Sequence, residues 1–175
     1  MRAVLAWPGP GLEDPELREP VLAAFQPSAD HASRLEAFAV EPPVFRDFFT
    51  YWLSRRRGRT LPGRADLDPL EMAPWLGDLM LVRLDPEPYF SLYGTKVAQS
   101  ARRDLTHRRI TELHPDMQAI FREIRAGCVE ARMPLWVNGR QLIDDRYIQW
   151  RRLYLPLASD GERVDQLIAM ARLDR

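Results

Sequence analysis

Between Pro42-Pro43 and Gly58 the chain repeats aromatic residues at spacings of three and four: Phe45, Phe48, Phe49 and Trp52. That period predicts an amphipathic helix over 44–57, opened by the prolines and ended by the glycine. Arg55, Arg56 and Arg57 fall in its last turn, where cations suit the helix dipole. So aromatic a stripe must be covered, by the chain's own sheet or by a second chain. Phe45, Phe48, Phe49 and Trp52 are therefore interface candidates as well as core candidates. Farther on, Asp78–Leu84 and Tyr89–Tyr93 read as two strands joined in a hairpin through Asp85-Pro86-Glu87-Pro88. Gly94-Thr95 ends the second strand, and short helical pieces follow from Lys96 to Leu113. Pro115 opens a helix to about Ala131, whose apolar face is Met117, Ile120, Phe121, Ile124 and Cys128. Strands are predicted over Leu135–Leu142, Arg146–Leu157 and Arg163–Leu173, with Asp160-Gly161 as a tight turn between the last two. The order predicts an α+β fold: a five-stranded antiparallel sheet with helices on one face, plus an N-terminal helical extension.

The stretch between the aromatic helix and the first strand is strongly punctuated. Pro62-Gly63 forces a turn, and Asp68 is placed to cap a helix with Pro69 first and Glu71 third, an Asp version of the capping box. Asp66 is expected to fix the loop by pairing with Arg64 or with backbone amides, which makes Arg64, Asp66 and Asp68 structural residues. Three regions follow: an extension over 1–43, rich in Pro, Ala and acidic groups and partly helical or disordered; a helical cap and connecting segment over 44–76; and a core domain over 77–175.

Composition narrows the partners. Lys+Arg and Asp+Glu are both 25, so net charge supplies no pull toward nucleic acid or acidic lipid. One cysteine, Cys128, rules out an internal disulfide and a multi-Cys zinc site. No apolar run approaches the ~18 residues of a membrane span, and the apolar start of the chain is too short for a signal peptide. A cytoplasmic protein is expected, without membrane or nucleic-acid partners. Gly-x-Ser-x-Gly, a P-loop and a two-His zinc motif are absent. Asp66 and Asp68 are better used as a loop anchor and a cap than as an acid/base pair. His107 with Asp104, or His114 with Asp116, offers two ligands where a metal needs more, so no metal site is expected.

Several segments together resemble a bacterial PAS-domain family, the fifth PAS family of the domain catalogues. They are Trp52 on the first helix, Arg57-Gly58, Leu61-Pro62-Gly63-Arg64-Ala65-Asp66-Leu67-Asp68-Pro69, Gly94-Thr95, Asp104-Leu105-Thr106, and Leu155-Pro156-Leu157 followed by Asp160-Gly161. The resemblance runs from about Val44 to Leu173. It departs at two positions, Arg103 and His107, where the family pattern carries glycine on either side of the Asp-Leu-Thr element. Bulky basic groups there are expected to close the pocket or to give it a preference for anions.

The resemblance implies a sensory or regulatory module whose middle helices wall a small-molecule pocket. Pocket candidates are Leu92 and Tyr93 on the second strand, His107, Ile110 and Leu113 on the short helices, and Phe121, Ile124 and Cys128 on the long helix. Tyr147, Trp150 and Tyr154 come from the long strand, where Trp150-Arg151-Arg152-Leu153 interrupts alternation and suggests a bulge. Haem would need an axial histidine on the long helix, and His114 stands before it. Flavin photochemistry would need a cysteine in an Asn-Cys-Arg-Phe motif, and Cys128 lies in Gly127-Cys128-Val129. No cofactor and no catalysis are expected. The function expected is binding of an unknown small molecule, a regulatory protein partner, or both, with self-association as a homodimer. No attached output domain is expected, and a signal is then expected to leave through the aromatic helix or the outer sheet face. The alternatives are a ligand-free interaction or dimerisation module and, behind it, a small α+β enzyme of cone-like fold.

Overall fold

The computed structural model describes residues 43–113, 115–130, 132–143 and 146–174. The expected N-terminal extension, His114 and the Asp144-Asp145 pair lie outside the described residues. Helix α1 is Pro43–Ser54. Arg57 (φ 49°) and Gly58 (φ 82°) then reverse the chain in left-handed conformation, the role for which glycine is suited at a helix end.

The punctuated stretch folds partly as read. The Asp66 carboxylate accepts the Gly63 N–H at 2.7 Å and pairs with Arg59, not with Arg64. Arg64 donates instead to the Leu67 carbonyl at 3.0 Å. Asp68 does cap the next residues, its carboxylate accepting the Leu70 N–H at 2.8 Å. The helix expected after it does not form; residues 69–75 run as linked turns. Pro74 explains this, since it has no N–H to extend a helix and disfavours helical backbone at Ala73. Glu71, free of the capping box, forms an ion pair with Arg55 at 2.5 Å.

The sheet has five antiparallel strands in the order β2-β1-β5-β4-β3. They are β1 Leu79–Arg83, β2 Tyr89–Tyr93, β3 Leu135–Ile143, β4 Arg146–Leu157 and β5 Gln166–Asp174. Met80 stands opposite Ala169, and Ala169 opposite Tyr154, so these three share one face, called the inner face. Leu79, Met170, Leu153 and Trp136 form the neighbouring row on the outer face. Between β2 and β3 the chain inserts α2 (Thr95–Ala101), a 3-10 turn at Ile110–Glu112, and α3 (Pro115–Ile124), which runs on as a π-helical turn over Arg125–Glu130. The Ile110–Glu112 turn and α3 cover the inner face.

Helix α1 takes the opposite, outer face. The Trp52 indole N–H donates to the Pro156 carbonyl at 3.1 Å, and Phe45 meets Trp136 edge-on at 4.8 Å. Phe48 meets Trp75 at 5.4 Å, and all four aromatic residues of the stripe are buried. The chain covers its own stripe, which leaves Phe45, Phe48, Phe49 and Trp52 no exposed surface to offer a second chain. The helices inserted in the core domain lie on one face of the sheet, as expected, and α1 of the helical cap packs on the other.

Two connections differ from expectation. The link from β4 to β5 is a loop from Ala158 to Asp165, longer than the Asp160-Gly161 turn, and β5 starts three residues later than predicted. The Asp160 carboxylate accepts the N–H groups of Glu162 and Arg163 at 2.8 and 2.7 Å, and Gly161 sits at φ 81°. Ala158 donates its N–H to the Pro62 carbonyl at 2.9 Å, so the connecting segment docks on this loop. At the start of β1, the buried Asp78 carboxylate receives both Lys96 and Arg172 at 3.2 Å. No described helix is long and apolar enough to cross a membrane.

Candidate functional site

The inner face acquires its cavity from an irregularity between β1 and β2. Leu81 pairs with Leu92 and Val82 with Phe90, so Ser91 is an extra residue on β2. A bulge of this kind turns side chains three apart onto the same face. Phe90 and Tyr93 thus both point inward, their rings edge-to-face at 5.2 Å. Leu92, expected beside Tyr93, goes to the outer face, where it joins Leu79, Leu81 and Ile168 along an open groove. The bulge expected in β4 is absent: its pairing with β3 and β5 is regular throughout.

Regular alternation then brings Met80 and Val82 of β1, Leu167 and Ala169 of β5, and Arg152 and Tyr154 of β4 to the same face. The far wall is Ile110, Leu113, Phe121 and Ile124. These residues enclose a cavity of about 30 Å³, room for about two waters. Of the sequence-predicted candidates, Tyr93, Ile110, Leu113, Phe121, Ile124 and Tyr154 meet around it.

The others do not. His107 is exposed, and its N–H donates to the Phe90 carbonyl at 2.7 Å as residues 107–110 run along the free edge of β2. It neither closes the cavity nor charges it, because it lies outside on the sheet edge. Cys128 is fully buried in the π-helical turn but does not line the cavity, and burial pushes its thiol well above the ordinary range. Such a thiol is inert packing. Trp150 is buried on the inner face, under Arg152. The Tyr147 side chain lies outside the described residues. Sequence reading missed Met80, Val82, Phe90, Arg152, Leu167 and Ala169. Alternation along β1 and β5 carried the signal for four of these, once the partner of each strand was known. Phe90 was hidden by the bulge, and Arg152 by its polarity.

Arg152 is the group that gives the cavity chemistry. Its guanidinium carbon lies 4.2 Å from the centre of the Trp150 ring, a cation–π contact. Its Nε is buried and has no hydrogen-bond partner among the described residues. Burial pushes the Tyr93 hydroxyl above the usual phenol range, an effect the nearby Arg152 charge opposes. Tyr93 therefore keeps its proton at neutral pH and is placed as a donor, not as a base. Among the described residues no three His, Cys, Asp or Glu side chains gather as a metal site would require.

Comparison with protein families agrees with this architecture. A family model described as "PAS domain" matches residues 40–171. A solved structure described as "Structure of an RNA-binding Light-Oxygen-Voltage Receptor" is similar at a TM-score of 0.42 and 13% identity, over 64% of this chain and 35% of that one. This chain thus spans about a third of that protein's length. No curated protein matches.

Proposed function

Because the chain belongs to the PAS domain family, we propose that it is a sensory or regulatory module whose input is a small organic molecule held in the cavity on the inner sheet face. The observation that carries this reading is the cavity itself: largely apolar walls from four strands and the helical insertion, with Arg152 as a convergent polar group. The family supports a signalling role; the cavity supports a ligand.

Strand β4 connects the input to a surface. Arg152 and Tyr154 face the cavity, Leu153 and Leu155 alternate onto the outer face, and the Pro156 backbone carbonyl accepts the Trp52 indole N–H of α1. With room for only about two waters, an organic ligand must part Phe121 and Ile124 from the sheet. Occupancy would then shift β4 and with it the seating of α1, a two-state equilibrium biased by the ligand. A dimerisation module built on the aromatic stripe is disfavoured by the burial of that stripe within the chain.

Native mass spectrometry of the purified protein, with an absorption spectrum of the same sample, tests the reading. The expected result is an added small mass, as purified or after incubation with pooled organic acids, amides and alcohols, that is released on denaturation. The bare chain mass in both samples overturns it.

A further inference from the structure

Resting on the reading of the cavity as a ligand site, we propose that its ligand is an organic acid, an apolar body ending in a single carboxylate, and that Arg152 receives the carboxylate. Three other half-buried arginines of the fold have carboxylate partners: Arg55 has Glu71, Arg59 has Asp66 and Arg172 has Asp78. Arg152 has no hydrogen bond or ion pair among the described residues and lies against the face of Trp150. Arg152 is half-buried, and its buried Nε is left without an acceptor, as are those of Arg55 and Arg172, but unlike them it has no carboxylate on its terminal nitrogens among the described residues. Nε and one terminal nitrogen of a guanidinium form the fork that a carboxylate fits with two parallel hydrogen bonds.

The walls decide the rest of the molecule. Val82, Ile110, Leu113, Phe121 and Ile124 offer apolar surface, and Arg152 is the one cation among the residues that line the cavity. A dianion would bring a second charge that nothing on these walls neutralises, so a monocarboxylate matches and a phosphate does not. Tyr93, holding its proton, stands on the same face as a second donor to the carboxylate.

Two pairs of probes that differ in charge and little in shape test this: hexanoate against hexanamide, and phenylacetate against phenylacetamide. Each is titrated into the full chain by isothermal calorimetry at pH 7.5, with Arg152→Gln and Arg152→Lys alongside. The acids are expected to bind about tenfold to a hundredfold more tightly than the amides, the range of a hydrogen bond to a charged group. Arg152→Gln removes that preference while retaining the amide affinity, and Arg152→Lys keeps part of it. Equal binding of acid and amide by the natural chain overturns the inference while leaving the cavity as a ligand site. A preference that persists in Arg152→Gln overturns the role of Arg152. Failure of all four probes at millimolar concentration removes both readings. Should Arg152→Gln not fold, the comparison of acid with amide on the natural chain decides alone.

Discussion

The tightest backbone approach described is at Gly94, and replacing it by alanine should be among the most damaging small substitutions in the chain. Gly94 has φ −59° and ψ 146°, values any residue adopts, so its need for glycine is not conformational. A Cβ there would stand 2.4 Å from the Gly77 carbonyl oxygen, 2.7 Å from its carbon and 2.7 Å from the Leu76 oxygen. The closest contact is about 1 Å short of ordinary van der Waals separation, and every obstructing atom is backbone. Neither side yields easily. Gly94 donates its N–H to the Leu79 carbonyl at 2.8 Å and accepts that of Ala98 at 2.9 Å. Next to Gly77, Asp78 is clamped by Lys96 and Arg172. Overpacking against an immobile backbone falls at the upper end of its usual range, about 3 kcal/mol, which lowers Tm by about 6–12 °C for a domain of this size. Urea unfolding followed by tryptophan fluorescence measures it, with a lower midpoint and an unchanged slope expected. Gly58→Ala is the control: Gly58 sits at φ 82° with nothing within 4 Å of its would-be Cβ, so it loses about 1 kcal/mol from left-handed backbone alone. If Gly94→Ala destabilises no more than Gly58→Ala, the close-approach argument is wrong.

Two further predictions concern loops. His107 occupies left-handed backbone at φ 64° with its side chain exposed, so His107→Gly should raise stability by about 0.5–1 kcal/mol; a lower urea midpoint would refute this. The Asp66 carboxyl is held below the usual carboxylate range, first by the Gly63 N–H and then by Arg59. Its contribution to stability is therefore complete above the unfolded value of about 4 and is lost as pH falls through the lower native value. Asp66→Asn should destabilise at neutral pH and flatten the stability profile below pH ~4; parallel profiles for the two proteins would count against it.

Much of the fold was legible because its signals are local. The aromatic period of α1 is carried by Phe45, Phe48, Phe49 and Trp52, and the run Arg146–Leu157 marks β4 to the residue. The cavity was legible where one element supplied both pattern and wall, as with Phe121 and Ile124. It was illegible where the wall depended on pairing. A bulge at Ser91 puts Phe90 and Leu92, two residues apart, on opposite faces, and nothing in Tyr-Phe-Ser-Leu-Tyr announces it. The helix expected after Asp68 does not form because Pro74, five residues after Pro69, outweighs a strong local start signal.

By itself the sequence determined the kind and order of the elements, since hydrophobic period, proline and glycine act within a few residues of themselves. It also set the exact balance of charge and the single thiol. Only the tertiary structure decided which surface covers the aromatic stripe, because an apolar face specifies burial and not its partner. Only the tertiary structure put Arg152 beside a cavity and apart from every described carboxylate. Arg151 and Arg152 are chemically the same in the sequence; the pleat of β4 sends them to opposite faces, and only the face of Arg152 holds the cavity under the helical insertion.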